Sequence, residues 1–324
     1  VVEFEDSFKR IERLLAQAEP RMASAFLRMV SSIKSQFTLN EIAGFIEAGS
    51  MAQALDTALR SISIIGESFV DEFVNAAKEA ASFFGRSVRE IQIVFDQTNV
   101  DAVAAMQRNH LRLVRGFTEE QREVVRQILT DGVQRGLNPR QVAKEFKNAI
   151  GLTPKQLQIV ANYRRSLENL SADALGRELR DRRFDPTIRN AILNDEPLSR
   201  REIERMVGTY RDRMLAHRAE VIARTEALRA ANQGTHALYQ QAIADGTLSP
   251  DNMERIWNTA GDERVRGSHK PMNGQERGMN EPFTSGAGHQ LMHPGDPDAP
   301  ANETINCRCV VAVRIKSAFP EPQQ

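Results

Sequence analysis

Long apolar runs are missing from this chain of 324 residues. No window approaches the ~18 uninterrupted apolar residues that a membrane-crossing helix needs, so no segment is expected to span a bilayer. Cysteine is nearly absent, with Cys307 and Cys309 as the two thiols. That scarcity excludes a disulfide-stapled scaffold and suits a reducing compartment. Excess charge is missing too: 43 Lys and Arg stand against 43 Asp and Glu, which argues against a protein that coats nucleic acid through bulk electrostatics. There is no Gly-rich phosphate cradle ahead of a helix, no HExxH and no GxSxG. The opening VVEFEDSFKR lacks the apolar stretch of a secretory signal. What remains, 41% hydrophobic and 27% charged residues, is the composition of a folded soluble chain, long enough for two or three domains.

The averages hide an uneven distribution. Eight of the 13 prolines and eight of the 19 glycines lie after residue 245, with the single Trp257 and both cysteines. Residues 1–110 carry 11 basic and 15 acidic side chains, residues 111–218 carry 22 and 15, and residues 219–324 carry 10 and 13. Neutrality is therefore a cancellation around a basic middle. Solvated helix faces account for such a bias; so does a surface that meets DNA or an acidic partner, with Arg182, Arg183 and Arg205 as its test positions.

Up to about residue 245 the apolar period is helical. Ile11, Leu14, Leu15, Met22, Phe26, Met29, Val30 and Ile33 recur at steps of three and four, and Ile42 to Phe73 continue the pattern. Four N-terminal signals follow: Thr118 to Gln121, Asn138 to Gln141, Thr153 to Gln156 and Ser199 to Glu202. In each a cap side chain precedes a Glu or Gln three residues on, and Pro139 and Pro154 occupy first helical positions. Gly151 reads as a helix stop. The spacing predicts short helices between Gly116 and Gly151 and one long helix over about 200–243, with Gly208 and Gly234 as bend points. The expected fold is mainly α, with long amphipathic helices forming an elongated body and a small C-terminal α+β module that carries a Pro/Gly-rich loop. The expected division is 1–115, an N-terminal helical region; 116–198, a short-helix middle; 199–245, a long connecting helix; 246–317, the C-terminal module; and 318–324, a tail.

After Gly246 the helical period stops. A short strand is expected around Arg255 to Asn258, a turn at Gly261, an irregular excursion over 271–304, and a returning strand at NCRCVVAVRI. Alternation puts Cys307, Cys309, Val311, Val313 and Ile315 on one face.

Asp262, Arg264, Arg266, His269, His289, His293, Cys307 and Cys309 fall within 48 residues. Cys307, Cys309, His269 and His293 form a set of four N and S ligands suited to tetrahedral zinc. No zinc-knuckle spacing accompanies them, and buried thiols beside hydrogen-bonding histidines account equally for the pattern. A Cys307–Cys309 disulfide would be strained across one intervening residue. Asp262, Arg264 and His269 also suit a small hydrolytic or phosphate-handling site, or a salt-bridge network that clamps the loop to the strand. Upstream, Arg218, Glu220, Arg224, Thr225 and Glu226 crowd the long helix, with Glu220 and Arg224 spaced as an i,i+4 pair.

Taken in order, GLTPKQLQIVANYRRSLE, RDRRFD, RMLAHRAEVIARTEALRAANQG, Trp257, GDERVRGSH, Gly274, HPGDPDAPANETINCRC and the strand behind it resemble the phage head morphogenesis family, the group similar to phage Mu F protein and to minor head proteins of other tailed phages. The resemblance covers roughly 115–315. Its most specific parts are Asp262, Arg264, Arg266 and His269, the turn through Pro294, Asp296 and Pro297, and Asn306 to Cys309 with Arg308. It implies a minor capsid protein of the virion, assembled in the host cytoplasm and placed at the capsid interior or portal vertex. Its implied partners are portal, major capsid or scaffold proteins and packaged double-stranded DNA, and its implied roles lie in procapsid assembly and in DNA packaging or ejection. The family implies no enzyme activity and no cofactor. The competing expectation is a metal-assisted nuclease or transferase centred on Asp262, His269, Cys307 and Cys309, with zinc as its metal.

Overall fold

The computed structural model describes residues 4–59, 63–87 and 93–315. Nine helices of eight residues or more lie among them: α1 (Phe4–Ser35), α2 (Leu39–Glu47), α3 (Met51–Ala58), α4 (Ser63–Ser87), α5 (Val100–Gln134), α6 (Pro139–Ala149), α7 (Pro154–Glu168), α8 (Asp185–Asn194) and α9 (Arg200–Ala244). The C-terminal part adds β1 (Met253–Asn258), β2 (Glu276–Arg277), β3 (Phe283–Thr284), β4 (Gln290–Leu291), the single turn α10 (Ala301–Thr304) and β5 (Val310–Ile315). The protein is mainly helical, with a small C-terminal sheet module. Among the described residues no helix is long and apolar enough to cross a membrane.

Three of the four start signals hold. The Asn138 and Thr153 side chains each accept from the amide three residues on, and Gln141 and Gln156 reach back to the cap amides. Ser199 and Glu202 do the same at the head of α9. Thr118 is different: α5 runs unbroken through it. A cap needs an extended residue ahead of the helix. Here Gly116 alone does not stop a helix whose Phe117, Val124, Val125 and Ile128 are all buried. Gln121 has another task. Its amide donates to Leu152 O at 3.0 Å and its oxygen accepts from Gly151 N at 2.9 Å. Gly151 follows the C-cap of α6 at φ +92°, as the stop signal requires.

The chain divides into two compact units, each drawn from separate stretches: 1–26, 63–113 and 220–324 in one, 27–62 and 114–219 in the other. In the second unit, Leu152, Tyr163, Leu167, Ile188, Met206 and Tyr210 form one core, with the Tyr163 and Tyr210 rings 4.4 Å apart. Arg218 is buried in this unit. It donates to Gly151 O at 2.6 Å, pairs with Glu120 and lies over the Phe117 ring.

In the first unit Phe69, Phe73, Phe84 and Phe95 pack with Met22, Leu238, Met253, Val313 and Ile315. A second cluster joins Leu228 and Ala231 of α9 to Trp257, Met272, Phe283, Leu291, Cys307, Cys309 and Val311. The principal sheet has the order β2-β1-β5 and is antiparallel, with Met253 opposite Ile315 and Trp257 opposite Val311. β3 pairs with β4 as a separate ribbon. Two expectations need correction. β5 begins at Val310, where pairing with β1 starts; the left-handed Asn306 and the two cysteines precede it as its lead-in. The segment 271–304 is not one irregular loop: it holds β2, β3, β4 and α10. The KSAFPEPQQ tail and Ile62 lie outside the described residues.

Candidate functional site

The C-terminal module is held to α9 by polar groups that the helix presents in sequence order. Arg224 donates to Asn306 Oδ1 at 3.1 Å and lies 3.5 Å from Glu19. Thr225 Oγ1 accepts from Asn306 N at 2.9 Å, satisfying an amide that the left-handed turn leaves without a strand partner. Glu226 pairs with Arg229 and, at 3.0 Å, with Arg112. Arg229 also donates to Gly295 O at 2.7 Å. Gly295 has φ +76°, and a Cβ there would lie 3.1 Å from Arg229 Cα; this close approach is what the turn between Pro294 and Pro297 needs a glycine for. Asp296 closes the turn by accepting from Met292 N at 2.6 Å and Asp298 N at 2.9 Å. Glu220 lies at an exposed position on the same helix.

Asp262 is engaged by Arg308 at 2.5 and 2.7 Å and by Arg264 at 3.1 Å. Arg308 first, then Arg264, hold its carboxyl well below the usual carboxylate range. Arg266 donates to Asn302 O and Ile305 O. These contacts make the clamp of loop to strand that was one reading of the motif. Gly274, at φ +79°, donates to Trp257 O at 2.7 Å and ends the connection between β1 and β2.

Inside the clamp lies a buried cluster of His269, Cys307 and Cys309, whose ligand atoms all fall within 4.8 Å of one another. His269 Nδ1 is 3.4 Å from Cys309 Sγ and 3.6 Å from Cys307 Sγ. Trp257 packs edge-on against the His269 ring at 5.4 Å. On the far side of that ring, Nε2 lies 2.9 Å from Glu303 Oε2, although the pair is not aligned as a directed hydrogen bond. Glu303 is buried and accepts from Ser268 at 2.8 Å and Ser285 at 3.1 Å, with His289 Nδ1 at 2.9 Å. Burial alone would raise its carboxyl; the hydrogen bonds from His289, Ser268 and Ser285 outweigh that and hold it below its ordinary value. The thiols split. Contacts with Cys309 first and then with His269 push Cys307 down, and the same contact with Cys307, plus burial, pushes Cys309 up.

His293 does not join this cluster, which corrects the four-ligand expectation. Its ring packs 6.0 Å from His236, and its Nδ1 lies 3.1 Å from Pro294 O. Burial pushes His236 down to about 3, helped by His293 and Arg255, and burial lowers His293 as well. Arg255 is 1% exposed and donates to the carbonyls of Gly278, Glu281 and Met292. Glu303, Arg255, Arg229 and His236 were not singled out from sequence. Arg255 had a signal: it alternates with Met253 and Trp257, both buried. Glu303 had none beyond lying four residues before Cys307.

Residues 198–312 match the family described as Phage Mu protein F like protein. The minor head protein GP7 of Bacillus phage SPP1 is 32% identical over 103 residues, 32% of this chain and 32% of that protein. The match thus spans about a third of the length of the curated relative. No solved structure matches. The family match opens at the N-terminal signal of α9, so the middle stretch that shared in the motif resemblance lies outside it. The matched residues 198–312, which hold α9, most of the sheet and the His269–Cys307–Cys309 cluster, are thus similar to the Phage Mu protein F like family.

Proposed function

We propose that this chain is a minor head protein of a tailed phage, acting in head morphogenesis as a component of the virion, with the portal and capsid proteins as its partners. The observation that supports this reading is the convergence of the matched motifs on a single fastening. Arg224 and Thr225 of α9 meet Asn306, and Arg229, paired with Glu226, meets Gly295. That arrangement secures a module to a helix; it does not aim polar groups at a substrate. Asp262, the first residue of the nuclease or transferase alternative, is occupied by Arg308 and Arg264.

The test is to remove the gene from its phage and compare particles. The reading expects the protein among the components of purified virions at low copy. Without it, heads should be aberrant or non-infectious and should be rescued by the wild-type gene in trans. Normal, fully infectious heads lacking the protein would sink it. For the enzyme alternative, purified chain is incubated with duplex and single-stranded DNA with and without divalent metal. Cleavage lost in His269→Ala while the fold persists would favour that alternative.

A further inference from the structure

We propose that His269, Cys307 and Cys309 form a three-ligand zinc site, oriented by Glu303 and completed by one water. The inference is independent of the head-protein reading. It rests first on distances. Zinc bonds of ~2.3 Å to sulfur and ~2.05 Å to nitrogen in a tetrahedron place an S and an N ligand about 3.6 Å apart. His269 Nδ1 lies 3.4 and 3.6 Å from the two sulfurs. One ring nitrogen cannot direct a single hydrogen at both, but one lone pair and two sulfurs can share an ion. The second support is the far side of the ring. Glu303 meets Nε2 at 2.9 Å and is itself fixed by Ser268 and Ser285. A carboxylate at that distance favours electrostatically a proton on Nε2 and a lone pair on Nδ1 toward the sulfurs, and a carboxylate behind the ring is the usual companion of a metal-bound histidine.

The third support is the way the backbone delivers the ligands. Beyond the left-handed turn at Asn306, Cys307 and Cys309 both reach the same ring nitrogen of His269, and Cys309 N donates to Cys307 Sγ at 3.4 Å, a contact that favours a thiolate. His269 comes from the opposite end of the clamp, across 38 residues. A small cavity beside the cluster is bounded by Val265, Arg266, Asn306 and Arg308 and offers about 20 Å³ to a water's centre, room for one water. Zinc entering here displaces the thiol protons to solvent, and two thiolates with a neutral imidazole balance its charge. The ion would tie the loop from 259 to the lead-in of β5. His293, beside His236, stands outside the site.

The experiment uses the full chain, purified under reducing conditions and analysed for metal. One zinc per chain is expected, falling to near zero in C307S/C309S and unchanged in His293→Ala. Because the double variant can lose its fold, the wild type is also stripped with chelator and titrated with cobalt(II) and then zinc. Thiolate-to-cobalt charge transfer and tetrahedral d–d bands should appear and be bleached by zinc, which should also protect both thiols from a thiol reagent. Glu303→Gln should weaken zinc affinity by about 10–100-fold. A folded wild type that stays metal-free, gives no cobalt bands and gains no thiol protection overturns the site. So does a Cys307–Cys309 disulfide in the reduced preparation, and loss of metal in His293→Ala overturns the three-ligand set.

Discussion

At the scale of single residues, the module is governed by buried polar groups whose partners are backbone carbonyls. Arg255 illustrates the balance. Burial works against its charge, lowering the guanidinium to about 10. Three carbonyls, however, depend on it as donor, and unsatisfied buried acceptors cost more than the apolar replacement regains. Arg255→Met should destabilise the protein by about 3 kcal/mol, read as a lower denaturant midpoint. An unchanged midpoint would mean that water replaces the guanidinium. The histidine pair predicts a pH effect. The folded-state values of His236 and His293 lie below the unfolded one, so the unfolded chain binds protons first. Stability is full above about 6.5 and falls as pH drops toward 3, at up to about 1.4 kcal/mol per pH unit for each group. Denaturation at pH 7, 6 and 5 should show the fall, and His236→Asn should reduce it. Equal slopes in the two proteins would exclude His236 as the source.

At the scale of elements, helix starts were legible because a cap is a local event: four residues and two hydrogen bonds decide it. Thr118 shows the limit, since packing along α5 carries the helix through a local signal for a start. The two glycines of α9 make the same point in a testable form. Both were expected as bends. At Gly208 a Cβ would make only an ordinary contact with the Arg211 side chain at 3.8 Å, whereas at Gly234 it would collide with Phe73 O of α4. Helix propensity favours Ala over Gly by up to about 1 kcal/mol at either position. Gly208→Ala should therefore stabilise by about 0.5–1 kcal/mol, and Gly234→Ala should destabilise by about 1–3 kcal/mol, because backbone cannot move aside as a side chain can. Paired thermal melts decide it, and a rise in both would refute the close contact between α4 and α9.

At the scale of the whole molecule, the charge balance and the two units frame what the protein can bind. Residues 114–218 of the basic middle lie in the second unit, but part of their charge is already used. Arg183 is paired with Asp181, and Arg205 stacks over Phe184 at 5.0 Å. Arg182 and Arg201 are exposed. If this face meets packaged DNA, the full chain should bind duplex weakly with affinity falling steeply in salt. Arg182→Glu with Arg201→Glu should then reduce the log–log salt slope by about one per lost phosphate contact. Binding indifferent to salt, or to both reversals, would remove DNA from the partners of this surface.

The sequence by itself determined the helical body, three of its four tested helix starts, the position of the β-containing module and the order of motifs that mark it, because periodicity, caps and turn residues act over a few neighbours. It also put the two cysteines on one side of the chain, where both meet His269. Only the tertiary structure decided that His269 joins them, that His293 belongs with His236, and that Glu303 stands behind the ring. Those choices depend on contacts between residues tens of positions apart, and the same side chains at the same spacing are compatible with either grouping until the loop from 259 to 309 is folded against β1 and α9.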